Sequence, residues 1–196
     1  MDTNPIIAVF GRRGKGKTTW LARYIYDNLD KTFFIYDVLR DKAFYPFYGV
    51  ARFYSSVDEF LDDSDIESSS IYIFQGEIDY NDFFGLCYEL GNNVCIFDEL
   101  DLACSPHYLS ENLYKIIHYG RHKNVGIVGS SRRPANVTRD FTSQAHLIIL
   151  YELSENLDLK YIENFCGAIY AEKVKKQRRG HCLVWPPKSE FEQEIS

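Results

Sequence analysis

The chain has 196 residues, 45% hydrophobic and 26% charged, which suits one globular domain with a substantial core. Its formal net charge of −6 excludes a protein coated in basic surface, while leaving room for a locally positive groove. The five cysteines (Cys87, Cys95, Cys104, Cys166 and Cys182) show no C-x-x-C spacing, so buried free thiols in a reducing compartment fit better than a zinc site.

The first apolar run, Ile6–Phe10, reads as a buried strand. It feeds Gly11-Arg12-Arg13-Gly14-Lys15-Gly16-Lys17-Thr18, which fits G-x-x-x-x-G-K-[ST], and a helical stretch follows from Thr18 to about Leu29. Strand, loop and helix in that order are the context this phosphate-binding motif requires. Gly14 and Gly16 let backbone N–H groups approach a polyphosphate, and the helix N-terminus adds partial positive charge. Lys17 is expected at the β- and γ-phosphates and Thr18 at Mg²⁺, with the whole octet and Thr19 around the nucleotide.

Further strands are expected at Phe33–Tyr36, Val50–Tyr54, Ser70–Phe74, Val94–Phe97, Val125–Gly129, His146–Leu150 and Cys182–Trp185. Helical patterns fall at Val57–Leu61, Tyr80–Leu90, Ser110–His118, Arg139–Ser143 and Ser154–Phe165. In the last, Leu157, Tyr161 and Phe165 form an apolar stripe at i, i+4, i+8. This alternation predicts an α/β fold with a mostly parallel sheet flanked by helices. One domain over 1–187 and a short peripheral tail over 188–196 are expected. An acidic block (Asp58, Glu59, Asp62, Asp63, Asp65, Glu67) is expected to face solvent. The 15 Tyr and 14 Phe are assigned mainly to the core.

Val94-Cys95-Ile96-Phe97 runs into Asp98-Glu99. A central parallel strand is apolar throughout, and its C-terminal end is where open α/β sheets place ligands. Asp98 is therefore the expected Mg²⁺-holding acid, and Glu99 the residue that orients or deprotonates the attacking water. A second carboxylate favours hydrolysing motors over small-molecule kinases. No Asn-Lys-x-Asp motif is present, which argues against a GTPase without separating ATP from GTP by itself. Further on, Tyr119-Gly120-Arg121-His122-Lys123-Asn124 reads as a basic turn before a strand, and Ser131-Arg132-Arg133-Pro134 as a polar turn after it. Ser131 and Arg132 are expected beside the γ-phosphate. Arg121 is expected at the opposite rim, either reaching a neighbouring subunit or simply solvated. Residues 171–181 carry Lys173, Lys175, Lys176, Arg178 and Arg179 against Glu172, a DNA-contacting or merely solvated cluster.

The order of P-loop, strand ending in Asp98-Glu99, Gly-Arg-His turn, strand and Ser-Ser-Arg-Arg-Pro is similar to that of the FtsK/HerA group of DNA-pumping ATPases. With Gln144-Ala145-His146-Leu147-Ile148-Ile149 and the compact length, it resembles the genome-packaging ATPases of membrane-containing icosahedral viruses, found in turreted archaeal viruses and tectivirus-like phages. The resemblance runs from about Ile6 to Trp185. It implies a three-layer P-loop NTPase of the additional-strand catalytic-glutamate type, ATP and Mg²⁺ as cofactors, and a homo-oligomeric pentameric or hexameric ring. It also implies sequence-independent translocation of double-stranded DNA and a capsid or portal-vertex partner, in the host cytoplasm or on the virion. That group often has a Thr-Gln-Arg-Pro-like turn whose Gln senses the γ-phosphate; here Arg132 takes the Gln position, leaving Arg132 or Ser131 as the sensor. Arg121 is the first choice for a trans arginine and Arg139 the second.

Filamentous-phage assembly ATPases share the P-loop core but usually carry a membrane segment; no apolar run here approaches the ~18 residues of a span. The remaining readings are a P-loop kinase of a small acceptor and a nucleotide-dependent assembly protein.

Overall fold

The computed structural model describes residues 4–64, 70–76 and 78–186. The expected tail, and Asp65 and Glu67 of the acidic block, lie outside the described residues.

In chain order the elements are β1 (Ile6–Phe10), α1 (Lys17–Tyr26), β2 (Phe33–Tyr36), β3 (Arg52–Tyr54), α2 (Val57–Leu61), β4 (Ile71–Phe74), α3 (Tyr80–Leu90) and β5 (Asn93–Phe97). Then come a short hairpin of β6 (Cys104–Ser105) and β7 (Tyr108–Leu109), α4 (Glu111–Lys123), β8 (Val125–Ser131), α5 (Arg139–Gln144), β9 (Leu147–Leu150), α6 (Asn156–Cys166), α7 (Ala168–Lys175) and β10 (Leu183–Trp185). Eight strands form one sheet in the order β10-β9-β1-β8-β5-β2-β4-β3, parallel except for β10, which runs antiparallel to β9. This is a P-loop NTPase α/β fold, with β8 inserted between the P-loop strand β1 and the acid-bearing strand β5.

Alternation along the strands splits the core between the two faces. Ile7, Val9, Phe33, Ile35, Val94 and Ile96 face α1, where Leu21 and Ile25 cover them together with Phe44 and Phe47. Ile6, Ala8, Phe10, Phe34, Cys95 and Phe97 face the opposite layer, built from α2 to α7. Both faces are covered, which is why β1, β2, β4, β5 and β8 are buried along their whole length. Many rings do go to the core, as expected: Tyr36 stacks on Phe97 at 4.5 Å and Phe34 on Tyr72 at 4.9 Å. All five cysteines are free thiols. Among the described residues, no helix is long and apolar enough to cross a membrane.

Two local expectations are corrected. The segment 119–123 is not a turn: α4 continues through it to Lys123 and ends at Asn124, whose φ of 56° is left-handed. Within the helix Gly120 permits close packing, since a Cβ would lie 2.6 Å from the Val125 carbonyl oxygen. The basic side chains Arg121, His122 and Lys123 then complement the carbonyl-rich end of the helix dipole. The stripe expected on α6 holds for Tyr161 and Phe165, which pack on the core, but not for Leu157. Leu157 is 69% exposed, and α6 instead buries Asp158 and Ile162.

Candidate functional site

Each parallel strand delivers its next residues to one edge of the sheet, and a cleft of about 580 Å³ opens there above the loop Gly11–Gly16. The loop is held by Gly11 N–H donating to the Ser131 carbonyl (3.3 Å) and Arg12 N–H to the Glu152 carbonyl (3.0 Å). Gly14 and Gly16 have φ of 73° and 118°, in the left-handed region that favours glycine. A Cβ on Gly16 would also sit 3.2 Å from the Tyr151 ring, which supports the loop from below.

The register explains what meets the loop. Phe97 lies beside Gly129, so the next pair is Asp98 and Ser130; Tyr36 lies beside Phe97, so Asp37 also falls next to Asp98. Thr18 donates its hydroxyl to Asp98 Oδ2 at 2.7 Å, and the buried Ser130 hydroxyl donates to Asp98 Oδ1. Two hard oxygen donors, the Thr18 hydroxyl and the Asp98 carboxylate, thus converge at the start of α1. Such a donor set fits Mg²⁺, which takes one or two protein oxygens and fills its octahedron with phosphate and water.

Lys17 is only 6% exposed, and burial lowers its pKa despite the opposing attraction of Asp98 and Glu99. Glu99 adopts a left-handed backbone, φ 63° and ψ 53°, at a cost of ~1–2 kcal/mol for a side-chain-bearing residue. Its carboxylate receives Arg132 Nε at 2.9 Å and a terminal nitrogen at 2.5 Å. That pairing raises the Arg132 pKa, and the side chain stays 45% exposed in the cleft.

Lys17, Thr18, Asp98, Glu99 and Arg132 therefore come together, with Arg13, Gly14, Lys15, Gly16 and Thr19 along the same cleft. Arg12 points away, in an ion pair with Glu152 at 3.1 Å, and Lys15 pairs with the same carboxylate. Ser131 does not face the cleft: it is buried, and its hydroxyl accepts the Arg133 N–H at 3.1 Å within the turn. Arg133 leaves the site, donating at 2.8 Å to Asp158 of α6. Arg121 is exposed at the end of α4, beside the start of β8 and thus at the opposite sheet edge from the loop. Arg139 lies over the Tyr161 ring at 5.0 Å.

Three participants escaped the sequence reading. Ser130 carries the same signal as Ser131, a hydroxyl closing a buried strand, and only the register tells them apart. Asp37 follows an apolar strand just as Asp98 does; it is buried, its pKa is raised by burial, and it accepts from the Asp41 N–H (2.8 Å) and Gln75 Nε2 (3.0 Å). Arg179, grouped in sequence with the basic cluster, lines the cleft next to Gly180, whose N–H donates to the Lys15 carbonyl at 3.3 Å.

No protein-family profile and no curated protein sequence matches the chain. Solved structures do. The genome packaging NTPase B204 from Sulfolobus turreted icosahedral virus 2, in complex with AMPPCP, is 20% identical with a TM-score of 0.76, over 94% of this chain and 93% of that one. B204, the DNA-packaging ATPase from Sulfolobus Turreted Icosahedral Virus, is 22% identical with a TM-score of 0.73 over 94% and 93%. The pCW3 conjugation coupling protein TcpA with ATPγS is 13% identical with a TM-score of 0.61, over 93% of this chain and 57% of that one. At these identities the likeness establishes a shared fold.

Proposed function

We propose that this protein is an ATP-hydrolysing motor that moves double-stranded DNA and packages a viral genome into a preformed capsid. The observation that carries the reading is the convergence of Lys17, Thr18, Asp98 and Glu99 on one cleft above the glycine loop. The names of its fold neighbours, packaging NTPases and a conjugation coupling protein, support DNA as the cargo.

Lys17 and the loop N–H groups hold the β- and γ-phosphates, and the buried position of Lys17 strengthens that attraction by excluding water. Thr18 and Asp98 hold Mg²⁺, which when bound neutralises charge on the phosphate oxygens. Ser130 fixes the Asp98 carboxylate. Glu99 orients the attacking water and accepts its proton, and Arg132 senses the γ-phosphate in place of the usual Gln. Arg121 acts in trans on the site of the next subunit in a pentameric or hexameric ring, stabilising charge in the transition state. Lys173, Lys175, Lys176 and Arg178 touch DNA phosphates without reading sequence. A capsid or portal-vertex protein docks the ring, in the host cytoplasm or on the virion.

The test is molecular mass and ATP turnover measured with and without double-stranded DNA. A ring whose turnover rises several-fold with DNA at low salt is expected. An unresponsive monomer at every DNA length would sink the reading. The Glu99–Arg132 pair favours one alternative, an assembly protein that binds ATP and barely turns it over; unchanged slow turnover in Glu99→Gln would select it.

A further inference from the structure

We infer that Arg179 is a nucleotide-binding residue, supplied in cis by the turn before β10, and that it contacts the phosphate on the nucleoside side of the bound nucleotide. The inference rests on the reading of the cleft as a triphosphate site and goes beyond it in assigning this residue. It also removes Arg179 from the DNA-facing cluster to which its sequence neighbours belong.

The direction of the nucleotide follows from the residues around the loop. Thr18, Asp98, Glu99 and Arg132 mark the terminal phosphate on the β8 and β5 flank. The nucleoside half must then extend to the other flank of β1, where β9 and β10 lie. On that flank the cleft is lined by Tyr151, Arg179 and Gly180.

The charges lining the cleft point to the same residue. Lys15 is committed to Glu152 and Arg132 to Glu99. Lys17 sits deep, beside Asp98 and Glu99. Of the cations lining the cleft among the described residues, Arg13, Lys17 and Arg179 form no ion pair, and of these Arg179 alone comes from outside the loop and the helix it opens. A free guanidinium facing a polyphosphate cleft can form two parallel hydrogen bonds to one phosphate.

Nor does this arginine sit on a loose strand of chain. Gly180, at φ 82°, ties the turn to Lys15 through its N–H, and His181 N–H closes the turn on the Arg178 carbonyl at 3.1 Å. Cys182 then packs beside Tyr151, which supports Gly16. The turn is thereby fixed against the phosphate loop at two points.

The experiment titrates the full-length wild type and the Arg179→Ala, Arg179→Lys, Arg178→Ala and Lys17→Ala variants with ADP and with ATP by calorimetry. A parallel series uses a double-stranded DNA fragment. Arg179→Ala should weaken ADP and ATP alike, by about tenfold, or ~1.4 kcal/mol. Arg179→Lys should recover part of that loss, and Arg178→Ala should keep wild-type nucleotide affinity while losing DNA affinity. If Arg179→Ala unfolds at a lower temperature than the wild type, the partial recovery in Arg179→Lys becomes the deciding measurement.

Nucleotide affinity within about twofold of wild type, with weakened DNA binding, would return Arg179 to the DNA surface and overturn the inference. A loss confined to ATP would overturn it too, by placing the contact at the γ-phosphate. Lys17→Ala separates the premises. If it binds ADP as the wild type does, the triphosphate site itself is wrong; if it loses binding while Arg179→Ala does not, only the Arg179 assignment falls.

Discussion

Arg132 reaches across from the end of β8 and holds the Glu99 carboxylate with two nitrogens, at 2.9 and 2.5 Å. In that arrangement the proposed water-orienting acid and the proposed γ-phosphate sensor occupy each other. On the proposed reading a γ-phosphate would compete for the same guanidinium, so its arrival would release Glu99. Arg132→Ala should therefore lower kcat by roughly 10²–10³, the usual loss for one transition-state donor, with little change in ATP affinity. Arg132→Gln, which keeps a donor there, should retain more of kcat. Glu99→Gln should bind ATP and fail to hydrolyse it. Equal kcat in wild type and Arg132→Ala would remove Arg132 from the chemistry.

Arg121 stands at the sheet edge away from the loop, so it has no route to its own site. Arg121→Ala should keep ATP affinity and lose turnover only in the assembled state. Mixed with Asp98→Ala subunits, it should regain activity, because the Asp98→Ala subunit brings a sound arginine to an intact neighbouring site. Turnover measured across mixing ratios checks this. A flat, inactive series would discard the trans role.

Gly126 lies in β8 against the chain entering β1. A Cβ there would be 2.5 Å from Pro5 Cδ and 2.8 Å from the Pro5 backbone, which cannot swing aside as a side-chain end could. The same stretch carries the Ile127 N–H to Pro5 carbonyl bond of 2.7 Å. Gly126→Ala should destabilise by ~1–3 kcal/mol, read from urea unfolding. An unchanged midpoint would mean the Pro5 segment moves freely.

Burial pushes the Cys166 thiol up to about 12 and the Cys104 thiol up to about 11. An ordinary thiol ionises near 9, so above that pH the unfolded chain gives up protons that the folded protein keeps. Stability should then fall as pH rises from about 9 towards 12, and both thiols should resist iodoacetamide at about pH 8 until the protein unfolds. Peptide mapping after native alkylation is the check; fast labelling of Cys166 under those conditions would contradict it.

Lys173 and Lys175 of α7, and Lys176 just beyond it, are exposed. Neutralising all three should reduce the slope of log affinity for duplex DNA against log salt by roughly 0.9 for each phosphate that they neutralise. A slope equal to wild type would leave these lysines as solvated surface.

The parts of the site legible in sequence were those written in contiguous residues. Ile6–Phe10 with its glycine loop, and Val94–Phe97 with Asp98-Glu99, announce themselves because a doubly covered strand is apolar throughout and its acids fall at the end. What required strand register was hidden: Ser130 against Asp98, Asp37 beside it, and Arg132 on Glu99. Two misreadings share a cause in packing. Tyr119–Asn124 reads as a turn because the value of Gly120, close approach to Val125, is tertiary. Leu157 alone of its stripe points outward, while Tyr161 and Phe165 pack on the core; beside it α6 turns the polar Asp158 inward to meet Arg133 and the Ala135 N–H, which apolar periodicity cannot register.

One backbone bond, from the Gly180 N–H to the Lys15 carbonyl, joins the turn before β10 to the glycine loop. Moving the turn at Gly180 would leave the Lys15 carbonyl without that donor, so the segment leading into β10 and the loop that faces the cleft share one contact. The two segments are neighbours in space although nearly the whole fold lies between them in sequence.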